Sequence, residues 1–216
     1  MKKLNIYHGS SIIIEKPLFG YGKKYNDYGQ GFYCTQNLDL AKEWANRRSE
    51  GGFANKYQID ERGLKVLDLC DKSHYSVLDW IAILAHNREF PATDKVDYEE
   101  AFAYLEKRYI DVSQYDVVIG YRADDAYFRF PLMFIRGVLT YERLEEIYLL
   151  GNLGKQYVLV SEKAFQRIRF LEAIPAEPLF HERFIRRTEA ADSSYLELER
   201  EERNREGTRI MDLVRK

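Results

Sequence analysis

Cysteine is nearly absent: Cys34 and Cys70 are the only two in 216 residues. Two cysteines make neither a disulfide framework nor a zinc cluster, and His74, His86 and His181 stand at no metal-ligand spacing to them. No metal site is expected, and the simple reading is a reduced, cytoplasmic protein. An excess of one charge is missing too. Thirty-three Lys and Arg face 35 Asp and Glu, for a net charge of −2, so a general attraction to nucleic acid or an anionic membrane is excluded and only a local patch remains. No apolar run approaches the length of a membrane span. The opening MKKLNIYHGS has no long apolar segment and is not expected to be a signal peptide. Nucleophile elbow, Walker loop, Rossmann fingerprint and internal repeat are all absent.

What is present suits one domain with an appendage. The hydrophobic fraction is 45%, and 17 Tyr and 12 Phe supply half-buried rings. Period-two patterns predict strands at 3–8, 31–35, 56–60, 64–69, 115–121 and 156–161. YDVVIGY (115–121) is the most apolar of them and is expected at the centre. Helices are predicted at 37–48 behind an Asn37 cap, from Ser76 behind a Ser76–Asp79 capping box, at 97–109, at 124–137 with a bend at Pro131, from Thr140 to Gly151, and from Ser161 to about Phe170. Strands and helices do not alternate regularly, which predicts an α+β fold. Residues 1–175 read as the domain. Residues 176–216 read as a charged helical arm, with 9 Lys and Arg against 9 Asp and Glu over 181–216.

Three stretches carry candidate chemistry. YHGS (7–10) puts a ring nitrogen, exposed backbone and a hydroxyl at a strand end. YGQGFYCT (28–35) sets two glycines before an aromatic pair. GKQYVLVSE (154–162) opens a strand with Gln156. Each by itself reads better as an ordinary turn or strand start than as a site. Together, with the helix TQNLDLAKEWA and the strand YDVVIGYRADD, they resemble the ADP-ribosyltransferase superfamily, in its diphtheria-toxin and poly-ADP-ribose-polymerase branch of His-Tyr-Glu type. The resemblance spans roughly residues 5–171.

That resemblance implies two small antiparallel sheets packed at a steep angle, peripheral helices, and NAD as substrate in the cleft. His8 would donate to a ribose hydroxyl, Gly9 would hold the carboxamide, Ser10 would touch the nicotinamide ribose, and Tyr33 would stack on nicotinamide. Gly29 and Gly31 would shape the loop and relieve crowding beside NAD. Phe32 would point to the opposite face, with Cys34 in the core. Lys23 and Lys24 are candidates for the pyrophosphate. Gln156 stands where the best-known members have glutamate. It keeps a hydrogen bond to the ribose and loses both negative charge and general-base capacity. Arg122, Asp124 and Asp125 are further candidates, Asp124 and Asp125 as substitute acids or as helix caps. The implied function is transfer of ADP-ribose to an intracellular macromolecule, protein or nucleic acid, as in the toxins of toxin–antitoxin or phage-defence pairs, with an antitoxin as a further partner. The alternatives are a non-catalytic NAD- or nucleotide-binding module, or an interaction protein that uses its charged tail.

Overall fold

The computed structural model describes residues 3–123, 127–150, 154–202 and 205–216. Its strands are β1 (Lys3–Ser10), β2 (Phe32–Thr35), β3 (Gly52–Asp60), β4 (Val66–Asp68), β5 (Val117–Gly120), β6 (Gln156–Leu159) and β7 (Ile168–Ala176). The helices are α1 (Leu38–Ala45), α2 (Val77–Asn87), α3 (Ala92–Asp97), α4 (Glu99–Glu106), α5 (Arg129–Ile135), α6 (Tyr141–Leu150), α7 (Glu162–Phe165), α8 (Leu179–Glu202) and α9 (Ile210–Val214). The class is α+β.

The strands form one seven-stranded sheet in the order β4-β5-β6-β2-β1-β3-β7, where two small sheets were expected. The sheet is mixed, with β4 and β5 parallel and the other pairs antiparallel. It is unevenly knit. β1 pairs with β3 along its whole length, from Lys3↔Asp60 to Ser10↔Phe53, and β2 pairs with β6 from Phe32↔Leu159 to Thr35↔Gln156. Between β1 and β2 there is a single pair, Tyr7↔Thr35. A three-stranded and a four-stranded portion therefore meet at one rung, and beyond it β1 and β2 part.

Each face of the sheet carries its own core, so strand residues of both parities are buried. Trp80, Ile81 and Leu84 of α2, with Phe130, Phe134 and Leu144, pack on the face of Tyr28, Val118 and Val158. Ile6, Phe32, Cys34, Tyr57, Val117, Ile119 and Tyr157 make the smaller core opposite. This double burial explains the continuous apolar run of β5. The strand lies one in from the sheet edge rather than at the centre.

The predicted caps form. Asn37 accepts from the Leu40 amide, the Asp79 carboxylate accepts from the Ser76 amide, and Ser161 accepts from the Ala164 amide. Three predicted elements differ. The helix expected to run from Ser161 to Phe170 is the single turn α7 followed by β7, whose Ile168 and Phe170 pack on the smaller core. The helix expected at 97–109 is the shorter α4, and a further short helix, α3, precedes it across Tyr98, where φ is −121° and ψ 33°. Pro131 sits in the first turn of α5, where its missing N–H costs no helical bond, so it helps start the helix rather than bending it.

The charged tail is laid along the body. Phe180, Ala191, Leu198 and Ile210 are buried. Arg187 and Arg183 of α8 pair with Glu43 and Asp39 of α1 at 2.7 and 2.9 Å. Glu202, fully buried, accepts from the amide and hydroxyl of Thr140 at 3.0 and 2.9 Å.

Candidate functional site

The site forms where β1 and β2 part. His8, near the end of β1, is half-buried and stacks on Phe32, with ring centroids 4.4 Å apart. Its Nδ1 lies 2.7 Å from the Tyr33 carbonyl. A carbonyl only accepts, so Nδ1 carries the proton. Burial lowers the pKa of His8 below its ordinary 6.5, with the Tyr33 bond acting the other way, so the ring is neutral near pH 7. Nε2 therefore presents a lone pair. In that neutral form His8, which lines the cavity, can accept at Nε2, whereas the resemblance implied a donor.

Gly9 follows. A Cβ here would stand 2.1 Å from the Ala41 carbonyl oxygen and 2.7 Å from the Trp44 Cβ. Its absence lets α1 rest directly on the strand end, which brings Trp44 to the cavity. Ser10 is not among the cavity-lining residues; its Oγ accepts from the Ile12 amide at 3.3 Å.

The aromatic stretch is held by its own turn. Tyr33 donates its hydroxyl to the Gly29 carbonyl at 2.6 Å and accepts from the Tyr28 amide at 3.0 Å. Gly29 has φ +72°, which only glycine adopts freely. Burial first, and then the charge of Asp27, push the Tyr33 phenol far above its usual range. It is a fixed neutral ring rather than an acid or base. Gly31 has a role the resemblance did not imply. A Cβ there would meet Val158 Cγ1 at 2.6 Å and the Leu159 oxygen at 2.9 Å, so it makes room for β6 as well as lining the cavity. Phe32 lines the cavity as well as the smaller core, by carrying His8 on its ring. Cys34 is buried in that core with its thiol pKa raised by desolvation.

Gln156 opens β6 opposite Thr35, two pairs beyond Tyr33↔Val158, so its side chain shares the face of Tyr33. It is 6% exposed, lines the cavity, and its Oε1 has no hydrogen-bond partner among the described residues. A buried amide oxygen left unsatisfied costs about 1–3 kcal/mol, and a ligand hydroxyl donating here would recover that.

Arg122, 1% exposed, sits over the Trp44 ring at 4.2 Å from its centroid. Asp27, 5% exposed, accepts from the Ala123 amide at 3.0 Å and lies 3.8 Å from Arg88. Asp124 and Asp125 lie outside the described residues.

Together these residues enclose a cavity of about 590 Å³, a volume suited to a ligand of nucleotide or dinucleotide size. His8, Gly9, Gly31, Tyr33, Gln156, Arg122 and Lys23 all line it; Lys24 does not. Sequence reading missed Asp27, Trp44, Arg47 and Arg88. Asp27 stood inside the turn-rich 20–31 stretch, and no pattern pairs a loop aspartate with an arginine 61 positions on. Among the described lining residues, Lys23, Arg47, Arg88 and Arg122 face one carboxylate, Asp27. Over these described residues the lining is cationic, in a chain that is nearly neutral.

The molecule is thus an α+β protein with a cationic, ring-lined cleft at the seam of its sheet. The chain belongs to the family described as protein of unknown function DUF3990, whose model matches residues 4–170, from β1 into β7. No curated protein and no solved structure matches it.

Proposed function

We propose that the protein is an NAD-dependent mono-ADP-ribosyltransferase acting on a macromolecule inside the cell, with an antitoxin-like partner if it works as a toxin. The observation that carries the reading is the buried Oε1 of Gln156, without a hydrogen-bond partner among the described residues, in the cavity that His8, Gly9 and Tyr33 also line. Three segments far apart in sequence meet there, in the order and element types of the ADP-ribosyltransferase motif. The sheet is single, where that fold has two, but it is joined between β1 and β2 by the one pair Tyr7↔Thr35. The positive lining suits a pyrophosphate, and the Tyr33 ring, clamped at its hydroxyl, suits stacking on nicotinamide.

In this reading the His8 Nε2 and the Gln156 Oε1 both accept from ribose hydroxyls. The bond from ribose C1′ to the nicotinamide nitrogen breaks, and its electron pair leaves with neutral nicotinamide. A lone pair of the acceptor forms the new bond to C1′, and the acceptor's proton passes to water. Positive charge grows on the ribose as the bond breaks. Gln156 meets it with a dipole where a glutamate would bring a full charge, a difference of about 3 kcal/mol. Slow turnover follows.

That same glutamine favours the second reading, a module that binds NAD or a related nucleotide without cleaving it. Purified protein incubated with NAD separates the two. Nicotinamide release that Tyr33→Ala abolishes supports the transferase. NAD binding by calorimetry with no nicotinamide release supports the module.

A further inference from the structure

Residues 12–25, between β1 and β2, form no helix or strand. Eleven large hydrophobic side chains are exposed among the described residues, and six of them lie here: Ile12, Ile13, Leu18, Phe19, Tyr21 and Tyr25, 48 to 84% exposed. A single exposed apolar residue needs no explanation, whereas such a concentration marks a surface made to be covered. The segment is also held in shape. The buried Asn55 of β3 accepts from the Ile14 amide at 2.9 Å and donates to the Ile12 carbonyl at 3.2 Å, and Tyr57 donates to the Ile14 carbonyl. The Gln30 amide donates to the carbonyls of Gly20 and Gly22, on either side of Tyr21, at 2.6 and 2.8 Å. The Phe19 ring meets Phe165 edge-on, 5.6 Å between centroids. The surface is thus exposed yet pre-organised, and a partner that binds it loses little to ordering. Its charges are Lys16, Lys23 and Lys24 against Glu15, all exposed. Among the described residues no ion pair engages the three lysines.

We infer that residues 12–25 are the docking surface for a protein partner that presents acidic side chains around an apolar patch, and that this partner is the acceptor of ADP-ribose. Its role as acceptor rests on the cavity being the NAD site. Leu18, Tyr21 and Tyr25 line that cavity as well, so a partner seated on the segment is held at the cavity's rim. There a side chain of the partner supplies the lone pair that bonds to ribose C1′, the electron pair of the broken bond leaves with nicotinamide, and the partner's proton passes to water. Tyrosine and phenylalanine are what the centres of protein interfaces use, and the unpaired lysines supply a rim complementary to acidic groups. A nucleic acid fits less well: Ile12, Ile13 and Leu18 offer no flat face to a base, and the segment holds no arginine. A lipid surface is met by an amphipathic helix, and 12–25 contains none.

The test uses the full chain and two variants, Ile13→Asp and Lys16→Glu, at exposed positions that do not line the cavity. Binding is read by anisotropy with a fluorescein-labelled copolymer of glutamate and tyrosine, with labelled polyglutamate and single-stranded DNA for comparison, and by sedimentation with phosphatidylserine vesicles. Transfer is read as radiolabel from adenylate-labelled NAD entering the protein of a cell lysate, and basal turnover as nicotinamide release without lysate. The copolymer should bind more tightly than the other three probes, and less tightly as salt rises. Each variant should weaken that binding and lower the labelling of lysate protein about tenfold, the size of one interface anchor, with basal nicotinamide release unchanged. Labelling that both variants leave intact would overturn the inference. So would label that nuclease removes and protease does not, no binding of the copolymer, or tighter binding of DNA or vesicles. If the chain releases no nicotinamide, it is the NAD reading of the cavity that fails, and the acceptor role with it. Copolymer binding then judges the surface alone: weakening in both variants upholds a protein-docking surface, and equal binding by all three chains overturns it.

Discussion

His8 is the residue whose chemistry depends most visibly on its surroundings. Burial disfavours its charged form, so its pKa in the fold lies below the 6.5 of the unfolded chain. Between those two values the unfolded state binds more protons than the folded one. Stability therefore falls as pH drops through 6.5, and levels off below the folded value. Thermal melts from about pH 8 to about pH 5 should show a decline beginning near 6.5 that His8→Gln flattens; an unchanged decline in the variant would mean that His8 is not the group. The acceptor lone pair disappears with protonation, so NAD affinity should weaken over the same window. Gln156 gives a second test at this scale. Gln156→Glu places a carboxylate in a cavity lined by Arg122, Arg88 and Lys23, which would hold it ionised. Nicotinamide release should rise about a hundredfold. A rate that falls to zero in this variant would count against a charge-stabilising role at position 156.

At the scale of elements, the seam between β1 and β2 decides the site, and the glycines decide the seam. Gly31 has no space for a side chain between β2 and β6. Gly31→Ala should therefore pry that ladder apart at a cost of about 1–3 kcal/mol, seen as a melting temperature lower by several degrees. An unchanged melting temperature would mean that β6 yields freely. The same elements mark what sequence reading can reach. His8, Tyr33 and Gln156, which line one cavity, were picked out by the joint resemblance of their three segments, since each segment alone reads as an ordinary turn or strand start. The caps at Asn37, Ser76 and Ser161 were legible because their chemistry is local. β7 was not, because the bulge between Lys56 and Tyr57 breaks its register with β3 and a capped helical turn precedes it. The single sheet was not legible either. Whether β1 and β2 share one rung or none depends on packing across the sheet, to which local pattern is blind. Asp27 and Trp44 reach the cavity through tertiary contacts alone.

For the whole molecule, the tail is the surprise. Half of residues 181–216 are charged, which reads as a solvated arm, yet α8 pairs with α1 and ends in a carboxylate buried against Thr140. Glu202→Ala would leave the Thr140 amide and hydroxyl buried without their acceptor, at about 1–3 kcal/mol. Its melting temperature should fall clearly below that of the unaltered chain, and an equal value would mean that water reaches Thr140. Because α1 also carries Trp44, this clamp links the tail to the cavity. The most direct measurement is nicotinamide release from NAD by the purified full chain, alongside Tyr33→Ala and Gln156→Ala. Slow, protein-dependent release that both variants abolish is the predicted result. No release with no NAD binding, or equal release by the His8→Ala, Tyr33→Ala double variant, would contradict it.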